Sequence, residues 1–253
     1  MVKKNVFLKN LYYFFLKING AISLSFFRSQ CYFYIILRTL FLNITHNLKN
    51  KFEPTGGNQV IDQHEINHIY NESKKITPRI SNKYFRLINL EHIPSFARKI
   101  VGRHKTEIES FLGKNFVYEK MTFTVTKKIP KEFEQFDFYS NAWHQDSDSY
   151  KILKIFILID DVGPEDGPFI YLTHKETALY WHLLRDRFVN STLKIQDEKQ
   201  FTGTKGDYFI IDTSKNLHRA SNPVKDRKLL TLTLYPEWSI TSDFERIKWN
   251  SKF

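Results

Sequence analysis

Downstream of residue 115 the apolar positions fall into short blocks divided by turn residues. Blocks at 116–126, 136–142, 152–159, 169–172, 208–211 and 229–235 read as β-strands. Thr231-Leu-Thr-Leu-Tyr235 alternates residue by residue, the period of a strand with one buried face. Ile155-Phe-Ile-Leu-Ile159 is apolar throughout, which suits a strand covered on both faces. Gly163-Pro164, Asp166-Gly167-Pro168 and Lys205-Gly206-Asp207 supply turns. Many short strands joined by turns predict a mainly β domain with flanking helices, a double-stranded β-helix (jelly-roll, cupin-like) barrel. The helices are predicted over 81–112, where Phe85, Leu87, Ile88, Ile93, Phe96, Ile100, Ile108 and Phe111 are spaced for one, and over 175–189, on a long insertion. Residues 51–60, with Pro54, Gly56 and Gly57, read as a linker or turn.

Residues 1–50 follow another pattern. Aromatic and aliphatic blocks such as Leu11-Tyr-Tyr-Phe-Phe-Leu16 and Tyr32-Phe-Tyr-Ile-Ile-Leu37 are cut by Lys9, Lys17, Arg28 and Arg38, with almost no acid. Lys9 and Lys17 interrupt the apolar run that a signal peptide needs, and no small-residue cleavage site follows. The stretch 18–37 is long enough to span a bilayer, but Arg28 at its centre would cost about 2.5–3.5 kcal/mol. Two readings remain: a helical layer packed on the following domain, which we favour, or a segment lying on a membrane surface. The predicted organisation is therefore a basic, apolar helical segment over 1–50 and a domain over 51–253 with its barrel core at about 115–237.

Composition adds limits. The chain has 253 residues, enough for one domain with appendages, and its 23 Phe and 13 Tyr supply a large core. The net charge of +11 points to an anionic partner, yet the lysines are spread along the chain and form no cluster shaped for a nucleic-acid groove. Nucleic acid is not expected; a small anionic substrate or a membrane surface is compatible with the charge. The single Cys31 excludes an internal disulfide and fits a reducing, cytoplasmic compartment.

The candidate chemistry centres on His144-Gln-Asp146, with His218 following 74 residues after His144 and Arg227 nine residues later. A carboxylate two residues after a His suits a strand edge, where both side chains converge on one ion. Two His and one carboxylate on one face of a metal leave three coordination positions open, the ligand set of non-haem Fe(II) oxygenases. Arg227 carries a planar fork suited to a carboxylate, which a lysine does not reproduce.

The intervening sequence reads Asn141-Ala-Trp-His144-Gln-Asp146, then Gly163-Pro-Glu-Asp-Gly167-Pro168-Phe with His174-Lys175, then Gly206-Asp207, Leu217-His218-Arg-Ala-Ser221-Asn222 and Arg227. In this order the set resembles the phytanoyl-CoA dioxygenase family of Fe(II)- and 2-oxoglutarate-dependent oxygenases, over roughly residues 115–237. One departure is Leu172-Thr173 before His174-Lys175, where the family often has Pro-Gly-Ser. The resemblance implies that His144, Asp146 and His218 bind Fe(II), that 2-oxoglutarate and dioxygen are cosubstrates, and that a small organic molecule is hydroxylated with release of succinate and CO2. It implies a role for Arg227 on the distal carboxylate of 2-oxoglutarate, with a hydrogen bond from Ser221; Arg219 is the competing arginine. Related halogenases replace the carboxylate, so Asp146 favours hydroxylation. Asn141, Trp143, Gln145 and Tyr150 are candidates for the pocket lining, and His174 and Lys175 are expected to cap a loop at the rim.

A competing motif lies upstream. His64-Glu65-Ile-Asn-His68 matches the zinc-hydrolase pattern of two His one helical turn apart with a general base between them. Its flanks, Asp62, Gln63, Asn71 and Glu72, are polar, and only Glu91 stands at a loosely suitable distance for a third ligand. An exposed helical turn is the expected outcome. A non-catalytic metal-binding jelly-roll protein is the other alternative.

Overall fold

The computed structural model describes residues 51–134, 138–146, 149, 151–179, 195, 197–237 and 247–248. The segment 1–50, Tyr150 and the predicted helix beyond residue 179 lie outside them. The described strands are β1 (Thr55–Asn58), β2 (Ile80–Ser81), β3 (Phe85–Asn89), β4 (Val117–Tyr118), β5 (Thr122–Thr126), β6 (Leu153–Leu158), β7 (Phe169–Tyr171), β8 (Lys199–Phe201), β9 (Asp207–Asp212), β10 (His218–Ala220), β11 (Arg227–Tyr235) and β12 (Ile247–Lys248). The helices are α1 (Gln63–Lys75), α2 (Ser95–Arg103), α3 (Lys105–Leu112) and α4 (His174–Leu179). Among the described residues no helix is long and apolar enough to cross a membrane.

The strands pair antiparallel in two sheets rather than one closed barrel. The larger runs β1-β9-β6-β11-β5-β3-β2, with β4 joining β11 and β12 joining β4; the smaller runs β10-β7-β8. Strand alternation decides what each face meets. Ile155, Ile157, Ile210, Leu230, Leu232, Leu234 and Phe123 join Ile66 and Ile69 of α1, Phe96 and Ile100 of α2 and Ile108 and Phe111 of α3 in the largest core. The opposite face of the large sheet sends Phe156, Leu158, Phe209, Ile211 and Leu229 against Phe169 of the small sheet. On the far side of the small sheet, Trp143, Ile170, Leu172, Ile195 and Leu217 form a third cluster. The order is helices, large sheet, small sheet, and the predicted jelly-roll class holds.

Several elements differ from expectation. The span 81–112 contains β3 before its two helices: Leu87 and Ile88 point to opposite faces, and pairing with β5 from Phe85↔Thr126 to Asn89↔Thr122 outweighs local helix propensity. The glycine-marked linker contains β1, at the edge of the large sheet. There a Cβ on Gly56 would lie 2.9 Å from the Tyr208 carbonyl oxygen, and one on Gly57 2.7 Å from the Tyr208 hydroxyl. These glycines permit close approach of an edge strand instead of a turn. Residues 138–142 form no strand, and Ser140 has φ 63°. The short β8 and β10 carry too few apolar residues to stand out in the sequence.

Candidate active site

Local pairing builds the site. His144 and His218 are directly opposite in an antiparallel bridge, and each backbone N–H donates to the other's carbonyl at 3.0 Å. Residues opposed in this way project their side chains to the same face, and a residue two further along does so again. That is why a His-x-Asp spacing converges with a distant His. The Asp146 backbone N–H donates to the Thr213 carbonyl at 3.0 Å, which ties it to the turn after β9. The approach to His218 is also held: Leu217 N–H donates to Thr177 Oγ1 of α4, and Asn216 Nδ2 to the Leu172 carbonyl.

The three side chains are buried, and one ligand atom from each lies within 4.8 Å of the others. Asp146 Oδ1 is 3.9 Å from His144 Nε2, and Oδ2 is 3.9 Å from His218 Nε2. Ligand bonds of about 2.1 Å place adjacent donors roughly 3 Å apart, so closing on an ion takes only small side-chain rotations. The imidazoles are set for this. His144 Nδ1 is 2.8 Å from the Ala142 carbonyl and His218 Nδ1 2.9 Å from the Asn216 carbonyl. A carbonyl only accepts, so each Nδ1 carries the proton and each Nε2 keeps its lone pair. Burial, reinforced by His144, holds the His218 pKa down to about 3, so the ring stays neutral. Burial alone would raise the Asp146 pKa, but the Lys154 ammonium beside it outweighs burial and the carboxylate stays well below its usual range. Two imidazole nitrogens and one ionised carboxylate fit a divalent ion.

Lys154, on β6, has its Nζ 2.7 Å from Asp146 Oδ2. Sequence reasoning passed over it. The available signal was a single charge inside the apolar run from Leu153 to Ile159.

Arg227 opens β11 and is buried. Its Nη1 donates to the Gly167 carbonyl and its Nη2 to Thr126 Oγ1 at 3.3 Å, while Nε has no hydrogen-bond partner among the described residues. Burial, offset only in part by Tyr139, holds its pKa down to about 10. A buried cation with an unsatisfied N–H is suited to an anion. Ser221 Oγ donates to the Pro168 carbonyl at 2.6 Å, next to the carbonyl that Arg227 holds. Arg219 also has an Nε without a hydrogen-bond partner among the described residues, but its charge is engaged: it pairs with Glu198 at 3.6 Å and lies over the Trp143 ring at 5.2 Å.

The other candidates have structural positions. Trp143 belongs to the cluster behind the small sheet. Asn141 accepts from Phe138 N–H and donates to the Glu134 carbonyl, and Gln145 donates to the Lys215 carbonyl. Thr173 and Glu176 form a capping box, Thr173 N–H to Glu176 Oε2 at 2.6 Å and Glu176 N–H to Thr173 Oγ1 at 3.4 Å. His174 and Lys175 thus sit in the first turn of α4, and the capping there is done by Thr173 and Glu176. His64 and His68 are exposed on α1, and Glu65 accepts from Ser95 N–H at the start of α2. Among the described residues this motif belongs to no group of three ligands within reach of one ion.

No protein-family model matches the chain, and no curated protein does. Among solved structures, it is similar to the non-haem α-ketoglutarate-dependent epimerase SnoN from nogalamycin biosynthesis, at 14% identity and TM-score 0.50 over 75% of this chain and 80% of that one. A second SnoN structure holds Fe3+, α-ketoglutarate and nogalamycin RO. HygX from Streptomyces hygroscopicus, solved with nickel, 2-oxoglutarate and hygromycin B, is similar at 15% identity and TM-score 0.50 over 74% of this chain and 84% of that one. At such identities the likeness is one of fold.

Proposed function

We infer that this chain is an Fe(II)- and 2-oxoglutarate-dependent oxygenase that hydroxylates a small organic molecule, releasing succinate and CO2. The observation that carries this reading is the convergence of His144, Asp146 and His218, with each Nδ1 held by a backbone carbonyl and each Nε2 turned toward the Asp146 carboxylate. When bound, the iron and 2-oxoglutarate supply the oxidising chemistry. The chain's residues bind, orient and exclude water. His144, Asp146 and His218 hold the ion and leave three positions open. Arg227 takes the distal carboxylate of 2-oxoglutarate through charge-assisted hydrogen bonds. Thr126 and Ser221 lie at the same end, each already bonded so that its oxygen is fixed in place. Phe156, Phe169 and Leu229 form the dry wall between the sheets.

The neighbours with the same fold support iron and 2-oxoglutarate as the groups in question. The order of motifs from His144 to Arg227 supports the phytanoyl-CoA dioxygenase family within that class. SnoN is an epimerase, so hydroxylation rests on this chain's own residues and needs its own readout. Purified protein supplied with Fe(II), 2-oxoglutarate and oxygen should form succinate, slowly without substrate. With substrate the product should gain one oxygen atom. A protein that holds iron but forms no succinate with any candidate substrate would be a metal-binding jelly roll without this activity.

A further inference from the structure

Among the described residues the Asp146 carboxylate has His144, His218 and Lys154 as charged or polar neighbours. Oδ1 lies 3.9 Å from His144 Nε2, Oδ2 lies 3.9 Å from His218 Nε2, and Oδ2 also lies 2.7 Å from Lys154 Nζ. The carboxylate therefore straddles the gap between the imidazoles, each oxygen equally near one of them, and can offer an ion one oxygen or both. The difference has a chemical consequence. Two imidazoles and one oxygen fill three of six positions; a second oxygen fills a fourth and leaves two. The reaction proposed above needs three, two for 2-oxoglutarate and one for dioxygen.

Lys154 breaks this symmetry. Its place is fixed by register: on β6 it stands opposite Ile211 of β9 on one side and Thr233 of β11 on the other. Its ammonium is a compact charge with three donors, and it lies against Oδ2 at 2.7 Å. Charged partners of this kind hold ligating carboxylates in one orientation. We propose, on the basis of the oxygenase reading, that Lys154 is a positioning residue. It occupies Oδ2, so that Asp146 ligates through Oδ1 alone and the third position stays open to exchange.

The test uses the full chain loaded with Mn(II), a paramagnetic ion whose inner-shell waters are counted by water-proton relaxation. The wild type should bind one ion with the relaxivity of three exchangeable waters. Lys154→Met and Lys154→Ala should each retain the ion but lose about a third of that relaxivity, two waters in place of three. Lys154→Arg, which restores a charged donor, should return it to the wild-type value. Neutral variants with unchanged relaxivity per bound ion would overturn the proposal and leave the oxygenase reading intact. A wild type that binds no Mn(II), or binds it equally well after His144→Ala, would overturn the oxygenase reading and this inference with it.

Discussion

Arg227→Met separates a binding arginine from a structural one. In the fold Arg227 is 7% exposed, with two guanidinium donors engaged and Nε without a partner among the described residues. Burial lowers its pKa from the ordinary arginine range to about 10, a cost to the charged form on the order of 3 kcal/mol inside the protein. Removing the side chain relieves that cost but leaves the Gly167 carbonyl unsatisfied, a loss of about 1–3 kcal/mol. The two effects nearly cancel, so the variant should keep its stability to within about 1–2 kcal/mol. Truncating a large side chain that only packs costs about 2–5 kcal/mol. Its affinity for 2-oxoglutarate should fall about tenfold to a hundredfold, because a charge-assisted hydrogen bond contributes about 1.5–3 kcal/mol. Urea unfolding with and without 2-oxoglutarate reads both quantities. At one ligand concentration the wild-type midpoint should rise and the variant's should rise much less. A variant destabilised by more than about 3 kcal/mol, or one that keeps the full ligand-induced rise, would refute the reasoning.

Other outcomes follow from the same geometry. His144→Ala, Asp146→Ala and His218→Ala should each lose bound iron while remaining folded, as judged by metal content and circular dichroism; a His144→Ala protein with full iron would remove the site. Gly167→Ala should cost about 2–4 kcal/mol, because φ is 74° and the new Cβ would lie 2.7 Å from Pro223 Cβ and 2.9 Å from its backbone nitrogen. It should also weaken 2-oxoglutarate binding, since the Gly167 carbonyl anchors Arg227; a wild-type melting temperature would contradict it. Asp212 is buried, and burial pushes its pKa up to about 6 although Ser214 and Lys215 pull the other way. A raised folded pKa stabilises below the unfolded value and loses that contribution as pH rises through about 6, a fall of about 3 kcal/mol. Asp212→Asn should flatten this decline between pH 4 and 8 and melt above the wild type at neutral pH; an unchanged slope would show that the carboxyl is ionised throughout.

The metal-ligand candidates were legible because strand geometry writes itself into spacing. A side-chain period of two joins His144 to Asp146 whatever surrounds them, and His218 follows from the same donor chemistry. Arg227 was legible through its interval from His218. Lys154 was not, because its partner is set by the registers of β6 against β9 and β11, which no local pattern records. The strands β1 and β3 escaped for a related reason. Gly56 and Gly57 look like a turn until Tyr208 is seen against them, and Phe85 to Asn89 looks helical until β5 pairs with it. Local sequence specified alternation and turns well; long-range pairing decided the rest.

Along β11, residues bound to the helix side alternate with residues facing the site. Leu230, Leu232 and Leu234 are fully enclosed, whereas Thr231 between them is only partly covered, as are its cross-strand partner Thr122, Thr124 two residues along β5, and Asn89 of β3 opposite Thr122. A change at Leu232 strikes the largest core, while a change at Thr231 meets little packing. Residues on this face can therefore change one at a time without unfolding the protein, so a lineage built on this sheet can reshape the surface beside the triad while His144, Asp146 and His218 stay where they are.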